Sequence, residues 1–210
     1  MRLMEMGLDK LTKLVLEMAT LSEVTVNKAI EGYSKGTNVR DEVFARSEQL
    51  ELLQDDVNDL ATEIIARYQP VAADLRFITS AMEIGYGYSR LGRYAYDITD
   101  ILSIVKDLSN CDKTAVELAG RNVAEMIRLS IKSFAERDIL QAGQLKAMDN
   151  VVDDIYRSYL KKLTEESDND VRCFISETLV LRYLERIADH AEDIGEAVVY
   201  TVTGKRVPKK

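Results

Sequence analysis

Apolar positions recur at helical spacing along almost the whole chain, and the clearest case lies between residues 182 and 198. There Leu184, Ile187, Ala191, Ile194 and Val198 step by three and four, which makes one stripe of an amphipathic helix. At about 100° per residue, Glu185, Asp189, Glu192, Asp193 and Glu196 fall together on the face away from that stripe. Glu185, Asp189 and Asp193 form an i, i+4, i+8 row of like charge. Such pairs destabilise a helix by up to about 0.5 kcal/mol each, so a bound cation is the economical way to offset them. The plainer alternative is a solvated face on which Arg182 and Arg186 pair with Glu185 and Asp189.

The same periodicity predicts five more helices. A first, over 3–35, buries Leu8, Leu11, Leu14 or Val15, Met18, Leu21, Val24 or Thr25 and Ala29, and Gly36-Thr37-Asn38 supplies both its stop and the next cap. A second, over 39–68, ends before Pro70, which cannot continue the hydrogen-bond ladder. The third, over 71–108, contains Gly85, Gly87 and Gly92. Glycine inside a helix costs up to about 1 kcal/mol, so these three mark a close helix approach or a bend. Asn110-Cys111-Asp112 breaks the chain, with Asp112 as the cap of a helix over 113–136. A tight corner at Glu136–Asp138 leads to a helix over 138–166, and Ser167-Asp168-Asn169-Asp170 is the next loop and cap. The last helix, 171–203, stops at Gly204.

Short connections make neighbouring helices antiparallel. Residues 74–100 also align without gaps on 170–196, matching Asp74 with Asp170, Arg76 with Arg172, Ser80 with Ser176, Arg90 with Arg186 and Asp97 with Asp193. The expected fold is therefore all-α: two tandem three-helix bundles related by internal duplication, over 1–108 and 109–210.

Composition agrees and narrows the function. Thirty per cent charged residues, two prolines and no tryptophan suit an all-helical protein, and 210 residues suffice for a sizeable core. A net charge of −8 argues against nucleic acid as a partner. The basic tail over 205–210 reads as a solubilising terminus, with contact to an anionic membrane surface as the alternative. Cys111 and Cys173 lie in no Cys-x-x-Cys pair and are expected as unpaired thiols of a reducing compartment. With no run of about 18 apolar residues and no signal-peptide pattern, a cytoplasmic protein without a membrane span is expected.

Candidate chemistry centres on carboxylates. The helix over 138–166 carries Asp149 and Asp153 one turn apart, at the flank of a stripe formed by Leu145, Met148, Val152, Ile155 and Tyr159. Packed antiparallel on the last helix, they would join Glu185 and Asp189, with Asp193 beyond, in an oxygen-rich cation site. Hard oxygen ligands suit magnesium, calcium, manganese or ferric iron. His190, the single histidine, reads as a boundary residue rather than a ligand. No nucleophile–base pair or glycine-rich phosphate loop stands out, and a di-metal bundle enzyme would need Glu-x-x-His on two helices. No catalytic residue is therefore assigned. The alternatives are a di-metal carboxylate enzyme and a purely structural dimerisation module.

The segment 184–196, Leu-Glu-Arg-Ile-Ala-Asp-His-Ala-Glu-Asp-Ile-Gly-Glu, with Val-Tyr-Thr-Val-Thr-Gly-Lys at 199–205, resembles the third helix of a PhoU-family repeat. Gln69-Pro70-Val71-Ala72-Ala73-Asp74-Leu75-Arg76 is similar to that family's link into the third helix of its first repeat. The resemblance covers nearly the whole chain. It implies a cytoplasmic accessory protein and negative regulator of phosphate uptake, coupled to an ABC-type phosphate transporter and, in many bacteria, to a phosphate-sensing histidine kinase. It also implies a homodimer. Family members bind metal through a Glu/Asp-x-x-x-Asp motif on each of two helices, which makes iron, manganese or magnesium the expected ions, with zinc the alternative. Carried over, Asp149 with Asp153 and Glu185 with Asp189 keep both motifs in the second repeat, and Asp193 follows. The first repeat departs from the pattern, with Ser47 and Glu51 on one helix and Ser89 and Arg93 on the other. There the Arg93 guanidinium is expected to replace the cation and pair with Glu51 or a neighbouring acid. The resemblance thus implies a one-site, asymmetric family member.

Overall fold

The computed structural model describes residues 2–165 and 170–206. Among them the backbone forms six α-helices and no strand: α1 (Arg2–Lys35), α2 (Arg40–Tyr68), α3 (Ala72–Val105), α4 (Thr114–Glu136), α5 (Ile139–Glu165) and α6 (Val171–Thr203).

Local chemistry sets these boundaries. After α1, Gly36 adopts a φ of 66°, and the Asn38 side chain accepts the Arg40 amide at 3.1 Å to open α2. Gln69 turns left-handed just before Pro70. The third helix ends at Val105 rather than 108, because Lys106 takes a φ of 66° and donates its amide back to Leu102. Asp112 accepts both the amide and the hydroxyl of Thr114 at the start of α4. At the α4–α5 corner Arg137 is left-handed, and Asp138 Oδ1 accepts the amides of Leu140 and Gln141 at 2.8 and 3.1 Å. Asp170 caps α6 by accepting the Arg172 amide at 2.9 Å, and Gly204 ends it with a φ of 70°. The loop expected at Ser167-Asp168-Asn169 and the last residues of the basic tail lie outside the described residues.

Helices α1–α3 pack on one another, as do α4–α6, and the two triplets join through α3 against α6 and α1 against α4. Helix α2 packs on α1 and α3, and α5 on α4 and α6, so these two are the outer helices. Close approach at the central seam depends on Gly87, whose missing Cβ would lie 2.8 Å from Ile194 Cγ1. One continuous core results, running from Leu11 through Ile84 and Leu91 to Leu184 and Val198. Buried hydroxyls link the triplets: Tyr33 to Ser176 at 2.6 Å and Tyr88 to Ser130 at 3.3 Å.

The cysteines depart from expectation. Cys111, in the linker before α4, forms a disulfide with Cys173 in the first turn of α6, with Cα atoms 5.4 Å apart. The pair is separated by 62 residues in sequence, and only the return of α6 beside the linker brings the two thiols together.

A candidate metal centre on helices α5 and α6

The carboxylates of α5 and α6 meet along the outer edge of their seam. Asp149 and Glu185 are both buried, so this part of the acidic row lies against the packed interface rather than in open water. Asp149 Oδ1 and Glu185 Oε2 are sealed from solvent and have no hydrogen-bond partner. An unpaired acceptor in such a place costs free energy that a ligand or ion can recover.

The charges feel one another. Burial, then a hydrogen bond to Glu192, then the charges of Glu192, Asp189 and Asp153 push the Asp149 carboxyl up to about 7. Glu185 is raised by burial first and then by Asp189, with Arg182 and Arg186 pulling the other way. Asp189 is raised by burial, opposed by Arg186, and raised further by Asp153 and Asp193. Asp149, Asp153, Glu185 and Asp189 thus lie near enough to feel one another's charge. Asp193 adds its charge to Asp189 and lies 4.0 Å from His190 Nδ1. His190 itself is a boundary residue, stacked on Tyr94 of α3 at 5.8 Å between ring centroids.

Internal arginines take part of the charge. Arg182 meets Glu185 Oε1 at 2.5 Å, Arg186 meets Asp189 at 3.4 Å, and Arg157 meets Asp153 at 2.5 Å. The flanking pairs expected for a solvated face are therefore present, although Glu185 is not solvated. Sequence reasoning left Glu192 and Lys146 out of the site. Glu192 shares a hydrogen bond with Asp149 and an ion pair with Lys146. Its position seven residues after Glu185, on the same helix face, is the signal that could have found it.

The donor set is all oxygen, which fits a hard cation better than a soft one, and Glu185 Oε2 has the Arg186 Nε at 3.8 Å as a counter-charge. Among the described residues, no group of three or more His, Cys, Asp or Glu side chains is placed to hold a metal ion. Asp149, Asp153, Glu185 and Asp189 are the residues that would hold it. A cation there would neutralise mutual repulsion and cross-link α5 to α6.

The matching place in the first repeat is built differently. Ser47 and Ser89 are buried, Glu51 is exposed, and Gly92 brings α3 so near α2 that a Cβ there would strike Leu50. Arg93 does not pair with Glu51. Its Nε lies 3.5 Å from Asp97, one turn along the same helix, and its guanidinium covers the Tyr96 ring. Glu51 points from the exposed side of α2, which leaves Asp97 as the neighbouring acid within reach.

Fold and site together define a class: a duplicated helical-bundle scaffold with a carboxylate cluster on one outer seam. The family model of the PhoU domain matches this chain twice, over residues 15–102 and 116–198. The chain belongs to the PhoU family. It is 28% identical over 209 residues to a "Phosphate-specific transport system accessory protein PhoU homolog" of Zymomonas mobilis, covering 97% of this chain and 88% of the relative. A homologue of the same description from Archaeoglobus fulgidus is 28% identical over 193 residues, covering 92% and 91%. The crystal structure of PhoU from Pseudomonas aeruginosa superposes with a TM-score of 0.80 at 26% identity, over 96% of this chain and 99% of that one. The phosphate transport system regulatory protein PhoU from Streptococcus pneumoniae shares the fold with a TM-score of 0.89 at 18% identity, over 98% and 100%.

Proposed function

We propose that this chain is a non-catalytic accessory regulator of phosphate uptake. It acts in the cytoplasm by contact with subunits of an ABC-type phosphate transporter, with a phosphate-sensing histidine kinase as a second partner and a homodimer as the working form. The observation that carries this reading is the end-to-end match to relatives described as phosphate transport accessory proteins. Two fused bundles with long exposed outer helices also suit a protein that works by contact. Among the described residues no helix is long and apolar enough to cross a membrane, which fits action on a transporter from one side. The test is phosphate uptake in cells lacking the gene, with and without the chain restored. Restored control of uptake is expected, and uptake indifferent to the chain would overturn the reading.

As part of the same reading, Asp149, Asp153, Glu185 and Asp189 hold a hard cation, with iron, manganese or magnesium ahead of zinc. The sealed Asp149 and Glu185 oxygens support it. Elemental analysis of protein purified without chelator should find metal that Asp153→Asn with Asp189→Asn removes, along with the thermal protection that ligand binding confers. The ion pairs Arg182–Glu185 and Arg186–Asp189 favour a second reading, in which the acids are neutralised internally. Wild-type protein that stays metal-free under every loading condition would select that one.

A further inference from the structure

A cavity of about 550 Å³ opens between α4, α5 and α6, displaced along the second bundle from the carboxylate cluster toward the disulfide. That is the size of a small-molecule site. Its walls are mainly apolar, with Leu118 of α4 and Val151 and Ile155 of α5 prominent. Leu118 and Val151 stay 43% and 46% exposed, so the wall has no side chain of its own covering it. A second cavity of about 210 Å³ lies behind it and shares Asp112, Tyr159, Lys162 and Glu177 with it.

Two of the polar residues that line it are buried. Tyr159 is only 8% exposed, and its hydroxyl is sealed from solvent beside the Glu177 carboxylate, with no well-formed hydrogen bond between them. Glu177 is only 4% exposed. Burial raises the pKa of both, and the Glu177 charge raises that of Tyr159 further. The acids Asp112, Asp154 and Glu177 outnumber the single cation Lys162 around the opening.

The first repeat manages the matching places without such a pair. Glu177 aligns with Ala81, and extending the match of Asp149 with Ser47 and Asp153 with Glu51 along α5 and α2 sets Tyr159 on Val57; Ala81 and Val57 are fully buried core residues. The first repeat fills these places with plain packing. The second places a hydroxyl and a carboxylate there, at the edge of an open apolar pocket.

We propose that this cavity is a binding site for a small organic cation, an apolar chain or ring carrying a primary ammonium. The apolar part lies between Leu118, Val151 and Ile155. The ammonium pairs with the Glu177 carboxylate and donates to the Tyr159 oxygen, whose own proton is then free to bond Glu177. An ammonium has three donors and matches two acceptors side by side.

The test titrates phenethylamine into the full chain by calorimetry, with 2-phenylethanol and 3-phenylpropionate as neutral and anionic counterparts of similar size. The amine is expected to bind, the alcohol at least about tenfold more weakly and the carboxylate not at all, in line with the loss of one charge-assisted hydrogen bond. Tyr159→Phe and Glu177→Gln should each weaken the amine. Tyr159→Val with Glu177→Ala installs the residues of the first repeat and should abolish binding, with circular dichroism checking that the variant is still folded. Asp153→Asn with Asp189→Asn should leave amine binding unchanged, which separates this site from the carboxylate cluster. No saturable amine binding, equal affinity for the alcohol or the carboxylate, or undiminished binding by the Val/Ala variant would each overturn the proposal.

Discussion

Glu177 is a carboxylate that the fold holds away from water, and its protonation is therefore tied to stability. Burial is the main cause of its raised pKa, with Asp112 adding to it while the neighbouring Tyr159 hydroxyl and the charges of Lys162 and Lys113 oppose it. A raised folded-state pKa means the folded chain holds this proton more tightly than the unfolded chain does. The contribution to stability is complete below the ordinary value of 4.5 and is lost as pH rises through the folded-state pKa. Glu177→Gln cannot lose a proton and escapes that loss. Its thermal midpoint should exceed that of wild type at pH 8 and converge on it near pH 4.5, as followed by circular dichroism in parallel buffers. An equal gap at both pH values would mean that the carboxylate is solvated in the native state. The same residue-scale view explains what was legible in the metal centre. Asp149 with Asp153 and Glu185 with Asp189 announce themselves because one helical turn puts like charges side by side. The Lys146–Glu192 pair and the partner of Arg93 did not, because each depends on which neighbouring side chain the packing brings closest.

Among the elements, the seam between α3 and α6 carries the most consequence, since it turns two bundles into one body. All six helices and nearly all their ends could be read from the sequence, because apolar spacing, Pro70, Gly36, Gly204 and the caps at Asp112 and Asp170 are local signals. Which helices meet across the repeats was not readable, because an amphipathic stripe says that a face is buried but not against what. The α3 glycines were the exception: a glycine inside a helix needs a reason, and at Gly87 the reason is Ile194. Gly87→Val should therefore wedge α3 away from α6 and destabilise the fold by about 1–3 kcal/mol, the usual range for overpacking. Denaturant unfolding checks this. Adding Ile194→Ala should recover part of the loss, giving a coupled double-mutant cycle. Strictly additive effects would mean that the two residues do not meet.

At the scale of the molecule, the Cys111–Cys173 disulfide fastens the linker between the repeats to the start of α6. Sequence alone left these thiols unpaired because nothing local distinguishes two cysteines 62 residues apart from two inert ones. A cross-link closing a loop of that length restricts the unfolded chain and typically stabilises by about 2–4 kcal/mol. Reducing agent should lower the thermal midpoint of wild type and leave Cys173→Ser unaffected. Two titratable thiols in protein never exposed to reductant would show that the bond does not form. The fastening also bears on Asp112 and Glu177, which flank the two cysteines in the cavity behind the amine pocket. Loss of the disulfide should therefore weaken amine binding as well as stability.

A duplicated chain raises the question of whether its halves are independent. Two three-helix units of about 100 residues each are long enough to fold separately on size alone. The structure argues otherwise for this protein, because the inner faces of α1, α3, α4 and α6 contribute to a single core and bury hydroxyls against one another. Cutting between the repeats would part Gly87 from Ile194, and it would strip Tyr33 and Ser176 of their mutual hydrogen bond. Neither half offers a substitute for those contacts. Calorimetry of the intact chain should show one transition, with calorimetric and van't Hoff enthalpies equal within error, as two-state unfolding requires. Ile84→Ala in the first repeat should move that whole transition downward by the cost of a core cavity, about 2–5 kcal/mol, rather than split it. Two resolved transitions, one of them insensitive to Ile84→Ala, would mean that the repeats are stable units that merely touch.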